Sequence, residues 1–179
     1  QNFTSATSNY NVAVGYDAGV SVTTGVKNVL IGGQAGDALT DADFNVALGY
    51  AALGSDTQGS RNTAVGHAAL TTQNFTSANN SYNTAVGFQS GLSVTTGTTN
   101  TLIGGLAGDA ITTGDSAVAV GYNALGAMTT GGSNTAVGEA ALSAATTGSS
   151  NTAVGRRALR YNTVGDQNTA MGFGALENH

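Results

Sequence analysis

The titratable stock of this 179-residue chain is small: ten carboxylates, five basic side chains, two histidines and six tyrosines, with no cysteine. Without cysteine there is no thiol nucleophile, no disulfide framework and no thiolate metal site. His67 and His179 are far apart in the chain, and an imidazole metal centre would need three or four convergent ligands, so no metal is expected. Gly32-Gly33-Gln34-Ala35-Gly36-Asp37 and Gly104-Gly105-Leu106-Ala107-Gly108-Asp109 have the outline of a phosphate-cradling loop or a calcium repeat. The first needs a following helix and the second a tandem nine-residue period, and neither is present. Asp41 and Asp43 near Asp37 could hold a surface cation, but solvated turn carboxylates are the simpler expectation. No Ser-His-Asp arrangement can be assembled, because His67 falls in a variable column shared with Tyr50, Phe88 and Glu139. The reading is therefore non-enzymatic, with no cofactor.

Three groups remain as candidates for binding. Arg156, Arg157 and Arg160, beside Tyr161, form the only basic cluster, either a solvated face or a dock for a polyanion. Tyr16, Tyr50, Phe88, Tyr122 and Phe173 recur in one column and suit packing against a neighbouring chain or stacking on sugars. Thr71, Thr72, Gln73, Asn74, Phe75 and Thr76 begin an irregular segment that is expected to bulge outward as a contact loop. Asn74-Phe75-Thr76 and its earlier copy Asn2-Phe3-Thr4 also match the short glycosylation sequon.

Composition bounds what can position these groups. Charged residues make up 8% of the chain, against about a quarter in ordinary globular proteins, and there are 27 glycines and no proline. A net charge of −5 with no extended basic face argues against nucleic acid. No apolar run is long enough for a membrane span, and no signal-peptide pattern opens the sequence. Since 40% of residues are apolar, there is material to bury, though much of it is alanine and the core must be thin.

The decisive feature is a repeat. The glycine closing each Ala-Val-Gly-like triplet falls at Gly15, Gly32, Gly49, Gly66, Gly87, Gly104, Gly121, Gly138, Gly155 and Gly172, a spacing of 17 except for 21 between Gly66 and Gly87. Four residues before it stands Asn in every unit but one, where Ala117 replaces it, and directly before it is always an aliphatic residue or Met. Eight residues after it stands Thr in each 17-residue unit. A duplication is superimposed, relating 1–70 to 73–142 and leaving 143–179 as further units of one repeat domain over 1–179.

Seventeen residues are too few for a helix pair, and β-branched runs between glycine-marked turns favour short strands. One such unit cannot bury its apolar face, so units must stack as an all-β parallel solenoid of about ten coils. The glycines at 25, 59, 97, 114, 131 and 148 suit turn positions with positive φ, and the column Val14, Val65, Val86, Val120, Val137 and Val154 is expected to be buried, so that Val120→Asp should destabilise strongly.

Ser-Asn-Thr-Ala-Val-Gly at 133–138 and 150–155 resembles the Asn-Ser-Val-Ala-Ile-Gly repeat of YadA-like heads in trimeric autotransporter adhesins, with similar repeats in phage tail fibres. The resemblance implies a left-handed parallel β-roll, three chains side by side, an extracellular or virion location and attachment to host matrix or cell-surface glycans. The period of 17 is longer than that family's, which implies a longer turn. A homo-oligomer, trimeric by preference, is also expected because strand residues point alternately to two faces and one coil interior can hide only one set. The competing expectation is a filament subunit stacked end to end.

Overall fold

In a computed structural model, which describes residues 8–178, the chain contains strands, turns and no helix among the described residues. In chain order the strands are β1 (Val12–Val14), β2 (Val29–Ile31), β3 (Val46–Leu48), β4 (Gly59–Ser60), β5 (Thr63–Val65), β6 (Asn79–Asn80), β7 (Thr84–Val86), β8 (Thr101–Ile103), β9 (Val118–Val120), β10 (Thr135–Val137), β11 (Thr152–Val154) and β12 (Thr169–Met171). Ten of them form one parallel sheet in sequence order, and β4 pairs with β6 in a two-stranded patch beside it. Register is set by the repeat: Val12 lies beside Val29, Val46 beside Thr63, and across the longer unit Thr63 lies beside Thr84. The chain is a parallel β-solenoid of about nine turns, rising roughly 4.8 Å per coil.

The asparagine column explains which face of each strand points inward. Asn28 Nδ2 donates to Ala42 O at 2.8 Å, and Asn28 Oδ1 accepts the N–H of Asn45 in the next coil at 2.9 Å. Asn45, Asn83, Asn100, Asn134 and Asn151 donate likewise to the carbonyl fourteen residues on. These side chains are buried. Alternation along the strand then places the residue two after each asparagine inside and the one three after it outside. The buried column is accordingly Leu30, Ala47, Ala64, Ala85, Leu102, Ala119, Ala136, Ala153 and Ala170. The expectation of a buried valine column is corrected: Val65, Val120, Val137 and Val154 are half-exposed, and Val14 and Val86 exposed, on the outer face.

Backbone geometry corrects a second expectation. The repeat-defining glycines do occupy positive φ, Gly49 at 139°, and a Cβ there would sit 2.4 Å from the carbonyl oxygen of Gly66 in the next coil. Gly97 and Gly148 are not in the left-handed region; a Cβ on either would meet the next coil's carbonyl oxygen at 2.4 Å. Close axial approach, rather than dihedral freedom, is what requires glycine at that turn. Left-handed backbone falls on other residues in every coil, such as Ala51 and Leu53, and their N–H groups are used between coils: Ala51 donates to Gly33 O and Leu53 to Ala69 O. These bonds offset a strain of about 1–2 kcal/mol at each such residue.

Core volume is exchanged among three interior positions: glycine four after the repeat glycine, at Gly19, Gly36, Gly91 and Gly108, always accompanies a large aliphatic seven after it, at Val22, Leu39, Val94 and Ile111. Most coils place alanine in mid-strand and leucine four after the glycine, as in Ala119 with Leu125 and Ala136 with Leu142. Where leucine moves to mid-strand, at Leu30 and Leu102, the other position is Gly36 or Gly108, whose added Cβ would lie 2.8 Å from that leucine's Cδ2. Leu102→Ala is expected to cost about 2–5 kcal/mol. Adding Gly108→Leu together with Ile111→Ala, since a Cβ at 108 would also lie 2.8 Å from Ile111 Cδ1, reproduces the Ala136, Leu142 and Ala145 interior two coils on and should return much of that loss; φ of 57° at Gly108 matches the 55° at which Leu125 sits. Urea melts of the single and triple variants check this, and a triple variant no more stable than Leu102→Ala would refute the exchange.

Candidate interaction surface

The outer face of the sheet presents two side chains per strand: Val12 and Val14, Val46 and Leu48, Thr84 and Val86, Thr135 and Val137. Its column directly before the glycines is apolar throughout, while the other column holds Val12, Val29, Val46 and Val118 but also Thr63, Thr84, Thr101, Thr135, Thr152 and Thr169; Val12, Val14, Leu48, Val86, Ile103 and Met171 are exposed on the face. Two columns border it. The column following the glycines holds all five expected aromatics, which are exposed, from 77% at Tyr16 to 54% at Tyr50 and Phe88. His67 is stacked between Tyr50 and Phe88, with ring centroids 5.5 and 5.3 Å away. The five rings do not form one continuous stack, because Gly33, Gly105, Glu139 and Arg156 stand between them.

The opposite border, five residues before each glycine, was missed by the sequence reading. It alternates aromatics and cations: Tyr10, Lys27, Phe44, Arg61 and Tyr82. Lys27 Nζ lies 5.0 Å and Arg61 Cζ 4.8 Å from the Phe44 ring centroid, within reach of cation–π attraction. From coil six onward this border becomes Thr99, Ser116, Ser133, Ser150 and Gln167. Alternation of ring and charge at that one position was its signal.

The basic cluster is divided by the coil geometry. Arg156 Nε bonds Glu139 Oε2 at 2.9 Å, and Arg160 Nη1 lies 3.6 Å from Glu177 Oε1. Arg156 also faces the Phe173 ring and Arg160 the Tyr161 ring. With two of its three charges paired along the axis, the cluster is a weaker dock for a polyanion than its spacing implied.

The loop also differs from expectation. Thr72, Asn74 and Thr76 face solvent and Thr71 is half-buried, whereas Gln73 is buried and Phe75 is only 6% exposed. Phe75 is thus turned inward and offers little to a ligand; its earlier copy, Phe3, lies outside the described residues. The cause is Asp56, buried in the column seven after the glycine, which elsewhere holds Val22, Leu39, Gln73, Val94, Ile111, Met128, Ala145 and Asn162. Asp56 Oδ1 accepts the N–H groups of Gly59 and Phe75, each at 3.0 Å, and Oδ2 accepts Gln73 Nε2 at 2.5 Å. Gln73 Oε1 in turn accepts Asn83 Nδ2 at 2.8 Å. The segment is therefore drawn in by a buried polar network, and Asn79–Asn80 extends the coil wall as β6. Asn62 is the asparagine whose carbonyl partner the longer unit displaces, and its Nδ2 is buried without a hydrogen-bond partner.

Among the described residues there is no surface pocket, and no three His, Cys, Asp or Glu side chains cluster as metal ligands. No helix among them is long and apolar enough to cross a membrane. Asp37 and Asp109 occupy corresponding turns of the duplicated halves, and burial raises both carboxyls above the ordinary value of 3.8, against backbone N–H groups that lower them. Asp109 Oδ1 is buried with no partner. The chain matches no family model, no curated protein and no solved structure.

Two outcomes follow. Asp56→Ala leaves three donors unpaired and is expected to cost about 3 kcal/mol or more, read as a lowered urea midpoint. For Asp109, a folded pKa above the unfolded one means the protonated acid favours folding and the benefit is lost as pH rises through the folded value. Asp109→Asn should therefore raise the melting temperature at neutral pH, with the gain vanishing well below pH 3.8. An unchanged melting temperature at neutral pH would contradict it.

Proposed function

We propose that the chain is a non-enzymatic segment of an attachment fibre, of surface-adhesin or phage tail-fibre type, acting outside the cell. It self-associates through the outer sheet face, a parallel trimer being the favoured state, and its turn columns meet a cell-surface glycan or matrix ligand. The observation that carries this reading is the continuous column of Val, Ile, Leu or Met on the outer face, with aromatic side chains on both of its borders over the first five coils. Ten strands at about 4.8 Å and a width of roughly 15–20 Å give roughly 650–850 Å² per copy, about one partner's share of a standard interface. The resemblance of the Ser-Asn-Thr-Ala-Val-Gly unit to adhesin head repeats supports the same reading from the sequence.

A second reading, axial assembly, is favoured by β1 and β12, each of which has one neighbour in the sheet. A free parallel edge in phase with the repeat can be continued by further coils of the same chain or by another copy.

Two measurements separate these readings. Sedimentation at micromolar concentration should show a discrete oligomer for the parent. Val120→Asp, which places a charge on the outer face, should remain folded by circular dichroism but sediment as a monomer. A monomeric parent would overturn the association, and open-ended filaments would favour axial assembly. Beads coated with the chain should be retained on glycan- or matrix-coated surfaces; no retention above uncoated beads removes the adhesive role.

A further inference from the structure

Over the first five coils the two borders of the outer face are matched level by level, although they are too far apart to touch within one chain. Numbering coils from Gly15, the border before the strand reads Tyr10, Lys27, Phe44, Arg61 and Tyr82 over coils one to five. The border after it reads Tyr16, Gly33, Tyr50, His67 and Phe88. On odd coils both borders are aromatic. On even coils a cation on the first border stands level with Gly33 or His67 on the second. Lys27 and Gly33 are six residues apart along an extended segment, roughly 15–20 Å, so they cannot meet within one copy.

Gly33 leaves a notch in its border. A Cβ there would lie 3.4 Å from Tyr50 Cδ2 and 4.0 Å from Tyr16 O, ordinary contact distances, so a side-chain group fits at that level. Two coils on, the chain fills the corresponding place itself, with the His67 ring between Tyr50 and Phe88. Cations against aromatic rings are already used on the other border, where Lys27 and Arg61 flank Phe44.

Symmetry decides which levels meet. A closed ring of identical chains around an axis parallel to the solenoid permits no axial shift between neighbours. The first border of one copy then meets the second border of the next at the same coil. An antiparallel pair would instead set like border against like border with coils reversed, bringing the aromatic and cationic coils against the Ser and Thr end.

Resting on the self-association proposed above, we infer that a second copy of this chain docks parallel and without axial shift, border to opposite border. Lys27 of one copy sits over Gly33, between Tyr16 and Tyr50 of the next. Ring closure brings equal levels together, cation and notch favour that closed parallel arrangement over an antiparallel or shifted one, and the outer face supplies the buried area.

The absence of cysteine makes the test clean. Lys27→Cys with Gly33→Cys is oxidised by copper phenanthroline, in parallel with Lys27→Cys plus Gly105→Cys, which are four coils out of level, and with each single variant. Circular dichroism and sedimentation accompany each sample. The level pair should give disulfide-linked oligomers of the size seen by sedimentation; the offset pair and the single variants should not. An oligomer in which the level pair fails to link, or in which the offset pair or Lys27→Cys alone links as well, overturns the register and leaves the association standing. A folded monomer overturns both. If the first pair does not fold, Thr99→Cys with Gly105→Cys asks the same question at coil six, with the same readings.

Discussion

Everything in this molecule is arranged around the buried asparagine ladder. Each amide ties its own coil shut by donating across it, and ties coils together by accepting the next asparagine's N–H. A buried amide is costly unless its hydrogen bonds are made, so the column can face only inward, and strand alternation fixes the face of every neighbouring residue. Alanine is inside because asparagine is; valine is outside for the same reason. Where the ladder is interrupted, other residues adapt. Ala117 has no amide to offer, and Met128 fills the adjoining interior, its Sδ 3.9 Å from Asn134 Nδ2.

A second ladder runs beside the first. Thr23, Thr40, Thr95, Thr112, Thr129 and Thr146 each donate their hydroxyl to the carbonyl of the corresponding threonine in the next coil. All point the same way along the axis. Asn74 takes the threonine position in the longer unit, and Thr57 donates there to Phe75 O instead. The longer unit is thus accommodated by rewiring: the ladder gives way to the Asp56–Gln73–Asn83 network, and Asn62 Nδ2 is left without a partner.

Period, stacking and parallel register were legible in the residues because a Cβ added at the repeat glycine would lie 2.2–2.7 Å from the next coil's carbonyl oxygen from Gly15 to Gly155, so that glycine cannot drift. The inward face was not read correctly, since valine and alanine were weighed by hydrophobicity while asparagine, the residue with most to lose if misplaced, decides the parity. Phe75 was read as a contact residue because insertions tend to bulge. The signal against this was Asp56 followed by Gln73 at successive positions of a column that is otherwise mostly apolar. The aromatic border was visible as one column of like residues. Its counterpart, with Lys27 and Arg61 interleaved among rings, looked like mere variability until both borders were seen to flank one face.

The orientation of the ladders has a mechanical side. Hydrogen bonds between coils lie along the solenoid axis, so tension applied along it pulls them open one row at a time from an edge, rather than shearing all rows together. Each released coil converts a rise of about 4.8 Å into 17 residues of slack chain, which can extend by up to about 3.3–3.6 Å per residue. Each yielded coil thus becomes about twelve times longer while the remaining coils stay intact. Under a pulling load, the thin core and the repeated ladder together act as an extensible tether whose slack is released in near-equal steps, the 21-residue unit giving the longest.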